Sequence, residues 1–266
     1  MKIGNYIVRA RTVVCIGIVI VFAVAYSLSL QTVSFYQMRK LTREHPDLRI
    51  MPKPLIDPSI YSGKVTTYSA FGYQFDLPWD DVKETTEKSM FHSVHFHRGI
   101  TVTLLDPRAD TAMPGAVVRD SPARLKEQIL RQFGVAGQTP NYQFVSNALY
   151  ANPDEPFTFS RRRAYRNYMS LMFKSVELPS SDHVSKNIFV VNTQRYRGFQ
   201  FGDPATSGVV KIKLFDQRDQ QIEVLVGIKP SATTKPVQSE INRLVESLRP
   251  LRDTQPGQAN ATPGPR

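Results

Sequence analysis

Residues 209–228 read VVKIKLFDQRDQQIEVLVGI, and the expected architecture rests on them. Two apolar-rich runs, Val209–Phe215 and Gln221–Ile228, flank a polar break. Asp216 to Asp219 supplies the residues of a tight turn, so the stretch predicts an antiparallel hairpin. Two more strands precede it, Ile188–Asn192 and Arg195–Phe201, set off by Gly, Pro and Asp. In the second, Phe199 and Phe201 alternate with polar neighbours, and Asp203 before Pro204 fits a turn. After the hairpin, Pro236–Leu248 predicts a closing helix with Val237, Ile241, Leu244, Val245 and Leu248 on one face.

Upstream the order is strands, then helices. Lys64–Ser69 is rich in Val, Thr and Tyr. Phe71, Tyr73, Phe75 and Leu77 alternate with polar or small residues, the period of a half-buried strand. Pro78 ends that run, and Asp80 and Asp81 suit the start of a helical turn. Met90–His97 and Ile100–Leu105 flank Arg98-Gly99, a two-residue hairpin signal. Three helices are expected in the middle. One starts at Ser121-Pro122 and stops at Gly134, one starts at Thr139-Pro140, and one opens at Ser160 and ends before Pro179. Runs of strands and runs of helices predict an α+β domain: one antiparallel sheet of about six to eight strands covered by helices.

The two ends of this body resemble the PsbP/Mog-type α-β-α sandwich. The similarity lies in Gly72-Tyr73-Gln74-Phe75-Asp76-Leu77-Pro78-Trp79, and in Ile222–Ile228 with Ile241, Val245, Ser247 and Leu248. The resemblance implies a non-catalytic accessory or scaffold domain. It carries over no functional residue.

A different signal sits at the N-terminus. Val13–Leu30 reads VVCIGIVIVFAVAYSLSL, eighteen residues without a charge. A helical span needs about 20 predominantly apolar residues, and the flanks supply the remainder. The expected organisation is a basic segment 1–11, a transmembrane signal anchor 12–36, a basic and Pro-rich spacer 37–62, the α+β domain 63–251 and a disordered tail 252–266. Val13, Val14, Ile16, Ile18, Val19, Ile20, Val21, Phe22, Val24, Leu28 and Leu30 carry the anchor. Lys2, Arg9 and Arg11 lie closer to the span than Arg39, Lys40 and Arg43. That bias puts the N-terminus in the cytoplasm and the body outside it, periplasmic or at the cell surface. The alternative is secretion after cleavage near Ala25, where Ala23-Val24-Ala25 gives a small-x-small site.

The chain carries 34 Lys+Arg against 23 Asp+Glu, a net charge of +11. More than half of that excess lies within residues 1–53, beside the expected membrane, where phosphate headgroups explain it. Basic residues interleaved with aromatics in a nucleic-acid-binding pattern are absent, so nucleic acid is not an expected partner. The partners expected are the bilayer and a protein. No cofactor is expected, and no small-molecule substrate is identifiable. The single cysteine, Cys15, excludes an internal disulfide and a Cys nucleophile in the body.

Two constellations remain as candidate sites. His95 and His97 share one face of a strand, as a His-x-His zinc pair would, with Asp106 or His183 as further ligands; surface histidines are the plainer reading. In the helix after Ser160, Arg161, Arg162, Arg163, Arg166 and Lys174 form a candidate basic surface for anionic lipid. Tyr165, Tyr168, Met169, Met172, Phe173 and Val176 form its expected apolar stripe. No Gly-x-Ser-x-Gly elbow or His-Glu-x-x-His occurs. The expected function is therefore membrane-anchored interaction or assembly without catalysis.

Overall fold

The hairpin at 209–228 lies inside an eight-stranded sheet. In a computed structural model, residues 29, 32–55, 57–107, 141–158, 160–178 and 187–251 are described. The strands are β1 (Lys53–Pro54), β2 (Thr66–Ala70), β3 (Tyr73–Leu77), β4 (Val82–Lys88), β5 (Phe91–Phe96), β6 (Ile100–Leu105), β7 (Ile188–Asn192), β8 (Arg197–Phe201), β9 (Val209–Phe215), β10 (Gln221–Ile228) and β11 (Arg249–Pro250). The helices are α1 (Asn141–Leu149), α2 (Arg161–Glu177) and α3 (Gln238–Ser247), and residues 32–44 are also helical. The large sheet runs β1-β7-β8-β9-β10-β6-β5-β4, and a second sheet runs β11-β3-β2.

The β9–β10 turn shows why this hairpin forms. Asp216 Oδ1 accepts from the backbone N–H groups of Arg218 and Gln220, each at 2.8 Å. Asp219 sits at φ 63°, a left-handed conformation that Asp tolerates better than most residues. Gly99, at φ 86°, makes the equivalent turn between β5 and β6. At β8 the constraint is a close approach. A Cβ on Gly198 would meet the Lys213 carbonyl oxygen at 2.0 Å.

Alternation then sorts side chains to the two faces. Val210, Ile212 and Leu214 of β9 share one core with Ile222, Val224 and Val226 of β10 and Ile100, Val102 and Leu104 of β6. That face packs on Tyr73, Phe75 and Leu77 of the second sheet and on Ile241, Leu244 and Val245 of α3. Trp79 meets Phe96 edge-on at 5.4 Å. On the other face, Phe199, Phe201 and Phe215 bury against Phe144, Val145 and Leu149 of α1 and Phe173 of α2. The large sheet is thus the middle of three layers. Ser160 opens α2 by accepting from the Arg163 N–H at 3.4 Å. Ser160→Ala is expected to lower stability by about 1 kcal/mol and Ser160→Asp to retain it, read from urea midpoints.

The mixed α+β fold with a broad sheet is as the sequence predicts, and several details differ. The body contains a second sheet, and β1 joins β7 in parallel, so the sheet is not wholly antiparallel. The segment after Trp79 is strand β4, not a helical turn. Its polar sequence pairs with β5 as an exposed edge and so lacks an apolar period. Residues 37–62 are not a spacer held away from the body. Met38 and Leu48 bury beside Leu171, and Lys53 and Pro54 add a strand. Val237 is exposed rather than part of the α3 core face.

The anchor falls largely outside the described residues, as do segment 1–11, the helix expected at 121–134 and the tail 252–266. Among the described residues, no helix is long and apolar enough to cross a membrane.

Candidate functional site

A groove of about 440 Å³ runs along the β7 edge of the large sheet. Pro54, Leu55, Pro58 and Ile60 form one wall, Val190 and Val191 the floor, and Val245 of α3 the other wall. Side-chain amides hold it in shape. Gln200 of β8 and Gln238 of α3 exchange hydrogen bonds at 2.9 and 3.0 Å. Gln238 Nε2 donates to Asn242 Oδ1 at 2.9 Å. Asn242 Nδ2 donates in turn to the carbonyls of Asp57 and Ser59, at 2.8 and 2.6 Å. Residues 57–61 are thereby laced onto α3, and Tyr61 N–H completes the lacing by donating to Ser239 O at 3.0 Å.

Backbone direction matters as much as lining here. Thr193 N–H donates to Tyr196 O, and Gly202 N–H donates to Asn187 O. Odd-numbered residues of β7 therefore bond toward β8, and the even-numbered ones face the opposite edge. The two residues of β1 cover that edge opposite Phe189 and Val190. Asn192, exposed and lining the groove, lies past the end of β1. The groove offers apolar walls, fixed amides and an uncovered strand end, a set suited to holding an extended chain.

No motif or period in the sequence points to this groove. Its prolines read as a spacer, and Gln200 and Asn242 belong to no motif. The available signal was an amide on a core face: Gln200 is buried, and Asn242 follows the buried Ile241.

The candidate basic surface is only partly a surface. Arg163 is exposed and bonded to Glu155 at 2.7 Å, and Arg166 is exposed. The side chains of Arg161 and Arg162 lie outside the described residues. Lys174 is fully buried, with its Nζ donating to Ala151 O at 3.2 Å and 3.6 Å from Met51 Sδ. Burial pulls its pKa down to about 8. The helix is rotated from its expected register. Ser170, Leu171, Phe173, Lys174 and Glu177 face inward, while Met172 and Val176 stand exposed. The cause is Lys213 on β9, which needs a counter-charge in the core. Glu177 supplies it at 2.5 Å, with the two side chains 1% and 2% exposed.

The histidines separate. His92 turns inward beside Val94 and Phe96. His95 is half-buried, its Nδ1 3.0 Å from Thr101 Oγ1. His97 lies beyond the end of β5 and is exposed. Asp106 is buried, and His183 lies outside the described residues. Among the described residues, no group of three His, Cys, Asp or Glu side chains comes together to hold a metal. Asp76 and Asp81 serve ion pairs instead, with Arg243 and Arg98, each at 2.7 Å.

No family model, curated protein or solved structure matches the chain.

Proposed function

We propose that this chain is a membrane-anchored interaction domain that seats an extended, apolar segment of a partner protein in the groove beside β7. The observation that carries the reading is the groove itself. It has apolar walls, an amide-locked rim and a strand end at Asn192 that β1 leaves uncovered. The chain's own Lys53 and Pro54 already occupy this edge as a parallel strand. A partner segment would continue that line, donating backbone hydrogen bonds to β7 and side chains to the apolar walls. The uncharged run Val13–Leu30 supports a tether, with the N-terminus cytoplasmic and the body outside the cytoplasm. The role is holding rather than chemistry.

A photo-crosslinking residue at Ile60, on the exposed groove wall, tests the proposal in the full-length protein in its native membrane. One discrete adduct is expected, identified by mass spectrometry. Tyr150 also lines the groove, and the adduct should disappear when Tyr150→Asp puts a charge there. The same probe at Met90, exposed on the turn between β4 and β5, should give none. Equal labelling from both positions, or no adduct at Ile60, overturns the proposal.

A further inference from the structure

Past the β7–β8 turn, two hollows meet at one side chain; the smaller shares Asn192 and Thr193 with the β7 groove, and the larger shares no residue with it. The larger, about 580 Å³, is lined by Gln74, Arg195, Arg249, Pro250 and Leu251. The smaller, about 320 Å³, is lined by residues of the β7–β8 and β9–β10 turns, including Thr193, Tyr196 and Asp216. Arg195 borders both.

The charges in the larger hollow are unbalanced. Most arginines whose contacts are described have a carboxylate: Arg98 has Asp81, Arg163 has Glu155, Arg197 has Asp219 and Arg243 has Asp76. Arg195 and Arg249 have none among the described residues. Among the described residues, Arg249 donates to the Ser247 carbonyl, at 3.2 Å. β3 and β11 set Gln74 directly opposite Arg249, so a carboxamide stands beside the guanidinium on one face. Among the described residues, no carboxylate lines this hollow.

The shape of that donor set selects the ligand. One planar guanidinium fork satisfies a planar carboxylate. Two forks from separate elements, Arg195 on a turn and Arg249 on a strand, suit oxygens that point in several directions. The smaller hollow carries the Asp216 carboxylate, which disfavours an anion there and leaves the larger hollow as the place for one.

We infer that the hollow bounded by Gln74, Arg195 and Arg249 binds a phosphate group, at a site separate from the groove beside β7. Arg195 and Arg249 neutralise the anion and Gln74 orients it. The phosphate is either that of a soluble phosphomonoester or that of an anionic lipid headgroup.

The test uses the full-length protein in phosphatidylcholine nanodiscs. Inorganic phosphate is titrated at constant ionic strength while the arginine Nε–H resonances are followed. Saturable shifts at one phosphate per chain are expected. Arg195→Gln and Arg249→Gln should each weaken binding at least about tenfold. Arg218→Gln removes the same charge from the exposed β9–β10 turn and should leave binding within about twofold. Arg195 is exposed on a turn, so its variant is informative even if Arg249→Gln disturbs β11. Resonance shifts on doping the discs with phosphatidic acid, without free phosphate, assign the site to lipid. Shifts with free phosphate alone assign it to a soluble ligand. The inference is overturned if no saturable binding occurs, or if all three variants weaken it equally.

Discussion

Glu177→Gln is expected to lower the stability of the domain by about 3–5 kcal/mol. The carboxylate lies 2.5 Å from Lys213 Nζ between α2 and the sheet, where water reaches neither group. Removing it leaves an ammonium ion in an apolar layer formed by Phe173, Phe199, Phe201 and Phe215. The amide of Gln accepts one hydrogen bond and supplies no charge. At the usual scaling for a domain of this size, the midpoint of thermal unfolding should fall by roughly 10 °C or more. The pair itself adds little net stability. Among the described residues Glu177 Oε1 has no hydrogen-bond partner, so the desolvation of its charge is incompletely offset. Glu177→Leu with Lys213→Met is therefore expected to recover the wild-type midpoint or exceed it. Circular dichroism melts of the three proteins decide the matter. A single variant melting within a degree of wild type would show that water reaches the pair.

Lys174→Met should act in the opposite direction. The amine is buried against a carbonyl and a thioether, without a carboxylate among the described residues, and its pKa falls from 10.5 to about 8. Between those values the unfolded chain holds a proton that the folded chain has released. Wild-type stability from this group therefore rises with pH across that window, and the full penalty applies below about pH 8. Each pH unit is equivalent to about 1.4 kcal/mol. Allowing for the donor that Ala151 O loses, the variant should be more stable by about 2–3 kcal/mol at neutral pH. That advantage should shrink above pH 8, vanish at about pH 10 and reverse slightly above it, where only the lost bond to Ala151 O remains. Urea titrations of both proteins at several pH values give the difference directly. A gap that stays constant with pH would mean that Lys174 reaches solvent.

Both residues show where the reading of the sequence stopped. In β10 and β6, every second residue is apolar and buried, and the strands lie where alternation places them. Ser160 is recognisable as a cap, because its hydroxyl acts within its own turn. Lys174 and Glu177 on a helix instead look like any solvated face, since a buried ion pair across 36 residues leaves no local period. The split into two sheets was hidden for a related reason. β2 and β3 have strand patterns, and nothing in those patterns says which strands they join. β4 was missed because an edge exposed on both faces has no apolar repeat. Of the candidate sites, the arginines at 163 and 166 stand at the surface, while the groove arises only when prolines 54 and 58 meet Asn242.

The seating of β1 on β7 also orders events in time. Lys53 bonds to Asn187, 134 residues later in the chain. During synthesis the N-terminal segment therefore emerges long before its partner exists, and closing so long a loop comes late in folding. Met38 and Leu48 wait in the same way for Leu171. Until then the β7 edge and the groove beside it have no wall from residues 54–60. The nascent domain passes through a stage in which its own strap and any foreign strand compete for one edge.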